Sequence, residues 1–121
     1  MEDDVQAFLP LTPTELQILL ALADGERHGY AIMQGIHEQT GGRLRVGPGS
    51  LYGTIKRLLA AALIAETAER PDPGLSDERR RYYRMTGLGR KALAAEIHNL
   101  AQVVELARMR HVYPQPRTSP A

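Results

Sequence analysis

The chain has 121 residues, a formal net charge of +1 and no cysteine. That length fits one domain with a modest core and no large enzyme cleft, and the missing cysteines exclude a disulfide-stapled scaffold and a thiolate metal site alike. The near-neutral total conceals an uneven distribution: residues 1–42 carry one basic and seven acidic side chains, whereas residues 43–91 carry eleven basic and five acidic. A basic middle is the electrostatic footprint of a nucleic-acid binder or a solvated basic surface, and charge alone does not decide between them. No run is long enough to span a bilayer, and the N-terminal MEDDVQAF is acidic where a signal peptide needs positive charge, so the expected address is the cytoplasm.

The first predicted helix starts at Leu11-Thr12-Pro13-Thr14-Glu15-Leu16. Thr12 is placed to cap, Pro13 suits the first helical position, and Glu15 completes a capping box, with Leu11 and Leu16 as the hydrophobic staple. Ile18, Leu19, Leu20, Leu22 and Ala23 then cover the helix nearly all round, the pattern of a central buried helix that Asp24-Gly25 ends. A second helix is predicted over 29–40, with Ile32, Met33 and Ile36 inward and Gly41-Gly42 as the stop. Arg43-Leu44-Arg45-Val46 alternates and predicts a very short strand.

GPGSLYGTIKRL, residues 47–58, opens like a phosphate-binding loop but lacks the Gly-Lys-Ser/Thr ending of a Walker motif and has no long buried strand before it. Gly47 and Pro48 instead suit a helix cap and first turn. Leu51, Ile55, Leu58, Leu59 and Ala62 share one face of the resulting helix. Lys56 and Arg57 lie opposite with Gly53 and Ala60, and Ser50 borders them. The outer face is therefore basic and built of small residues.

Residues 63–69 and 79–85 predict two strands of a ribbon, joined by a loop dense in turn residues. Tyr83 and Met85 are expected on the core side and Arg84 outside. Arg70, Arg79, Arg80, Arg81 and Arg84 at or near the ribbon would repel one another without a polyanion or solvent screening. Thr86 caps a last helix running to about residue 112, whose Leu93, Ile97, Leu100, Val104, Ala107 and His111 make a heptad-like seam. Three prolines in the final nine residues predict a disordered tail.

Three helices followed by a ribbon is the plan of a winged helix-turn-helix, in which the third helix enters the major groove and the ribbon meets the neighbouring backbone. The expected class is mainly α with a small β-ribbon. The motifs LTPTELQILLAL, His28-Gly29-Tyr30, Gly49-Ser50-Leu51-Tyr52, Arg57-Leu58 and Arg81-Tyr82-Tyr83-Arg84-Met85-Thr86 followed by Gly89 come in one order. With them the chain resembles the PadR family of transcriptional regulators, most closely the short subfamily with a single C-terminal dimerisation helix. The resemblance covers residues 11–92 and implies a dimeric DNA-binding repressor, released from its operator by a small molecule of unknown identity or another signal; a two-fold dimer in turn predicts a palindromic operator. That family usually carries glycine where Ala62 stands before the wing. A left-handed corner costs alanine about 1 kcal/mol relative to glycine, which points to a helix end shifted by one residue and leaves the wing register open.

The expected division is an N-terminal arm (1–10), a winged-helix DNA-binding domain (11–86), a dimerisation helix (87–112) and the tail (113–121). Candidate DNA contacts are Tyr30, Ser50, Tyr52, Lys56, Arg57, Arg79, Arg80, Arg81 and Arg84, with Tyr30 and Tyr52 weighted towards packing. Candidate dimerisation residues are Leu93, Ile97, Leu100, Val104 and Ala107. The four histidines show no metal-ligand spacing and no nucleophile has a base beside it, so no metal, cofactor or enzymatic activity is expected. The alternative is a winged-helix adaptor that binds protein and not DNA; a basic outer face on the third helix weighs against it.

Overall fold

The structure, a computed structural model, describes residues 5–67 and 81–114. A 3-10 turn over Val5–Phe8 leads to helix α1 (Pro13–Ala21), strand β1 (Arg27–His28), helices α2 (Gly29–Gln39) and α3 (Pro48–Ala60), strands β2 (Ile64–Glu66) and β3 (Tyr82–Met85), and helix α4 (Gly87–Met109). The strands form an antiparallel sheet in the order β1-β3-β2. The predicted class, mainly helical with a small sheet, is the one found.

Side-chain caps start helices α1, α2 and α4. The Thr12 hydroxyl accepts from the Glu15 amide at 3.2 Å, and the Glu15 carboxylate accepts from the Thr12 amide at 2.8 Å. That closes the predicted capping box. The His28 imidazole caps α2 by accepting from the Ala31 amide through Nδ1. Thr86 caps α4, accepting from the Gly89 amide at 3.0 Å.

Helices α2, α3 and α4 end in a left-handed corner from which two amides reach back to the last turn. At the end of α3 the Leu63 amide donates to the Leu58 carbonyl and the Ala62 amide to Leu59, each at 3.0 Å. Ala62 itself has φ +62°. The helix end is thus not shifted: alanine adopts the conformation that the sequence expectation reserved for glycine. The wing register follows, with Ile64 opposite Met85, Ala65 opposite Arg84 and Glu66 opposite Tyr83. Ala62 leaves the buried face predicted for it and is exposed, whereas the Thr54 side chain is buried, its hydroxyl donating to the Ser50 carbonyl at 2.9 Å.

The core gathers Ile18, Leu19 and Leu22 of the first helical segment with Ile32 and Ile36, Leu51, Ile55 and Leu58, and Leu63, Ile64 and Tyr83 of the sheet. Central burial of α1 was legible in its apolar surround. Two departures concern strands. Residues 43–46 form no strand. The third strand is instead β1, two residues long, which pairs Arg27 with Tyr83 and His28 with Tyr82.

The root of α4 is locked to the corner after α3. The Thr86 hydroxyl donates to the Ala62 carbonyl at 2.6 Å, the Thr86 amide donates to the Leu63 carbonyl at 3.1 Å, and a Cβ at Gly89 would fall on that same Leu63 carbonyl. At its other flank α4 packs against the Val5–Phe8 turn. The buried Glu96 carboxylate accepts from the Leu11 amide at 2.5 Å. The sequence reading counted Leu93 among the dimerisation residues, but Leu93 and Ala92 are buried in the head. Beyond them Ile97, Leu100, Val103, Val104, Leu106 and Met109 are all exposed. His111 lies past the helix end, in a left-handed corner of φ +61°. Among the described residues no helix is long and apolar enough to cross a membrane.

Candidate nucleic-acid interface

Helix α3 buries Leu51, Thr54, Ile55 and Leu58 against the core, which leaves Gly49, Ser50, Lys56, Arg57 and Ala60 exposed with Gly53 between them. The spacing that sends the leucines inward therefore sends the basic side chains outward, as the helical period requires. Arg57 is not a loose side chain. Its guanidinium donates to the Thr54 hydroxyl at 3.1 Å, and that hydroxyl is itself held by the Ser50 carbonyl. The sequence reading passed over Thr54 because a threonine carries no charge and breaks the apolar repeat.

Tyr52 is half-buried, its ring close over Gly29, where an added Cβ would lie within 2.8 Å of it. The predicted packing role is what the geometry describes: Tyr52 sets α3 against the start of α2. Tyr30, the next residue of α2, is 43% exposed and lines an open groove with Met33, Gln34, His37 and Glu38.

The ribbon arginines divide. Arg79 and Arg80, with Arg70, lie outside the described residues. Arg81 forms an ion pair across the ribbon, its Nε 3.4 Å from the Glu66 carboxylate. Both side chains are largely solvated, so the pair contributes little and a stronger anion competes for the arginine easily. Arg84 projects from the core as expected, into a cleft of about 340 Å³ that Asp24, Glu26 and Arg90 also line. Its surroundings are mixed in sign, not uniformly basic. Two further cations, Arg43 and Arg45, are exposed on the turn that feeds α3. The sequence reading placed them in a strand, although their charge beside the third helix was the available signal. Among the described residues no group of acidic, histidine or cysteine side chains could hold a metal ion.

Along α4 the residues expected to dimerise are split by burial. Leu93 faces the head core, Ile97, Leu100 and Val104 are 40–43% exposed, and Ala107 is half-buried. A cavity of about 470 Å³ lies at the helix root, between Gln6, Leu9, Pro10 and Leu11 on one side and Glu96, Asn99, Leu100 and Val103 on the other.

Residues 18–95 match the family model described as the transcriptional regulator PadR-like family. The chain is 40% identical over 89 residues, 74% of its length, to an uncharacterized 37.1 kDa protein in transposon TN4556 of Streptomyces fradiae. The match spans only 23% of that larger relative. Among solved structures, a PadR-like transcription factor from Bacteroides fragilis superposes with a TM-score of 0.67 at 23% identity, covering 88% of this chain and 98% of that one. Bacillus subtilis PadR in complex with operator DNA superposes with a TM-score of 0.60 at 20% identity, covering 93% of this chain and 52% of that one. At such identities the likeness is one of fold.

Proposed function

The chain belongs to the PadR-like family of transcriptional regulators, and from that premise we propose that it is a homodimeric repressor that binds a palindromic DNA operator and is released by a small-molecule effector. The observation that carries the reading is the outer face of α3, where Ser50, Lys56 and Arg57 stand exposed on a helix anchored by Tyr52 and the core. An α-helix fits the major groove, and an arginine held in position can pair with both acceptors of a guanine. Arg81, Arg84 and the ribbon arginines beyond the described residues would meet phosphates, which hold without reading sequence. The solved operator complex of Bacillus subtilis PadR, a protein of the same fold, supports the assignment.

The dimer follows from α4. Its exposed apolar face from Ile97 to Met109 is unfavourable in water, at about 25 cal/mol per Å² left uncovered. A two-fold copy presenting the same face buries both. Two α3 helices related in that way match two half-sites about 34 Å apart. The cavity at the root of α4 touches the segment ahead of α1 and the exposed helix face together, which supports an effector site there.

The test is selection of bound fragments from genomic DNA, followed by a salt titration. A palindromic site is expected. Four phosphate contacts per subunit correspond to a slope of log affinity against log salt near −7, at about 0.9 per phosphate. A slope of zero with no enriched fragment would send the reading to a protein-binding adaptor.

A further inference from the structure

Gly53 occupies the interior of α3, where glycine disfavours the folded state by about fivefold relative to alanine. The buried helical glycines Gly29 and Gly89 have a reason within the protein, and Gly49 and Gly87, open like Gly53, stand in the first turns of their helices. A Cβ at Gly29 would collide with the Tyr52 ring and one at Gly89 would fall on the Leu63 carbonyl, whereas one at Gly35 would only touch the Ala21 Cβ at 3.6 Å, where α1 meets α2. At Gly53 an added Cβ would meet nothing within 4 Å, and the backbone there is ordinary helix without a positive φ. Neither packing nor conformation within the chain calls for glycine.

The position does have a place in the outer face. Ser50 and Lys56 lie three residues to either side of Gly53, and Arg57 lies four beyond, all exposed and one helical turn away. Arg57 is drawn back by its hydrogen bond to Thr54, the residue next to Gly53. Long cationic side chains therefore border a short length of bare helix backbone. A helix with its side chains is about 10–12 Å across and the major groove about 12 Å wide, so one missing side chain changes how deeply a helix can seat.

We propose that Gly53 is a specificity-determining position: the α3 backbone at this residue seats against base edges in the major groove, at a depth that leaves no room for a Cβ. The inference rests on the DNA-binding reading above and deepens it. Deep seating brings Arg57 and Ser50 within reach of base edges. A non-specific complex, held through phosphates, does not require it.

The experiment compares Gly53→Ala and Gly53→Leu with the unmodified full chain. One duplex is selected by the unmodified chain from a random pool, and the other is a random-sequence duplex of equal length. Both variants are expected to unfold at higher urea, the alanine variant with a folding equilibrium raised about fivefold. Affinity for the selected duplex should fall about tenfold or more for alanine and further for leucine. Affinity for the random duplex should stay within about twofold. Undiminished affinity of both variants for the selected duplex would overturn the proposal, and so would equal losses on the two duplexes, which would place Gly53 over phosphates. Loss of stability in both variants would also overturn it, because the fold itself would then require the glycine. Failure of the unmodified chain to select any duplex is a separate result, which removes the DNA-binding reading and this inference with it.

Discussion

Replacing Ala62 by glycine should stabilise the protein. Ala62 holds φ +62° at the corner after α3, and the flanking amide bonds from Ala62 to Leu59 and from Leu63 to Leu58 fix that geometry. An L-residue in the left-handed region costs roughly 1–2 kcal/mol. Glycine removes that strain but widens the unfolded ensemble, which returns about 0.4–1 kcal/mol. The net gain is therefore about 0.5–1 kcal/mol. With a urea m-value of about 2 kcal/mol/M, the midpoint should rise by about 0.3–0.5 M at unchanged m. Protein concentration must be held constant, since dimerisation would make the midpoint depend on it. Ala60 supplies the control two residues away: it is exposed, in the last turn of the same helix, with no positive φ. Ala60→Gly should lower stability by about 0.5–1 kcal/mol. Opposite signs at the two positions are the signature of the corner. A fall at Ala62→Gly, or the same sign at both sites, would refute the reasoning.

Leu100→Asp places a charge in the middle of the exposed α4 face and should give a monomer with unchanged helical content and much weaker DNA binding. Light scattering that reports a monomer for the unmodified chain at micromolar concentration would refute the dimer. Arg57→Ala should relax preference at particular operator positions, at a cost of about 1–3 kcal/mol if the contact is a bidentate guanine pair. Thr54→Val keeps the shape but removes the hydroxyl that holds Arg57, so it should relax the same positions by a smaller amount; binding profiles of the two variants that share no position would argue against the anchor. Gly29→Ala drives a methyl into the Tyr52 ring and should destabilise by about 1–3 kcal/mol, read as a lower urea midpoint. Pairing it with Tyr52→Ala should recover part of that loss, because the smaller side chain removes the clash.

Features that rest on residues within a turn of one another were legible without the fold. Thr12 and Glu15 announce the start of α1, and Thr86 announces α4, because the donors they satisfy lie three residues away. The outward placement of Ser50, Lys56 and Arg57 follows from the helical period once Leu51, Ile55 and Leu58 are turned inward. The inward side of Tyr83 and the outward side of Arg84 follow likewise from the two-residue period of a strand.

What required the tertiary structure depends on partners distant in the chain. Strand β1 is two residues with no periodicity of their own, and it exists because β3 offers it an edge 56 residues later, Arg27 against Tyr83. In the sequence Arg81 is one of five mutually repelling arginines, and only the ribbon register brings Glu66 beside it. Leu93 belonged by spacing to the dimerisation seam, but the locking of Thr86 and Gly89 onto the Ala62–Leu63 corner turns the root of α4 into the head and buries it. Ala62 shows the same order of causes most plainly: local preference argued against a left-handed alanine, and bonds to Thr86 together with the burial of Leu58 and Leu63 outweigh about 1 kcal/mol of backbone strain.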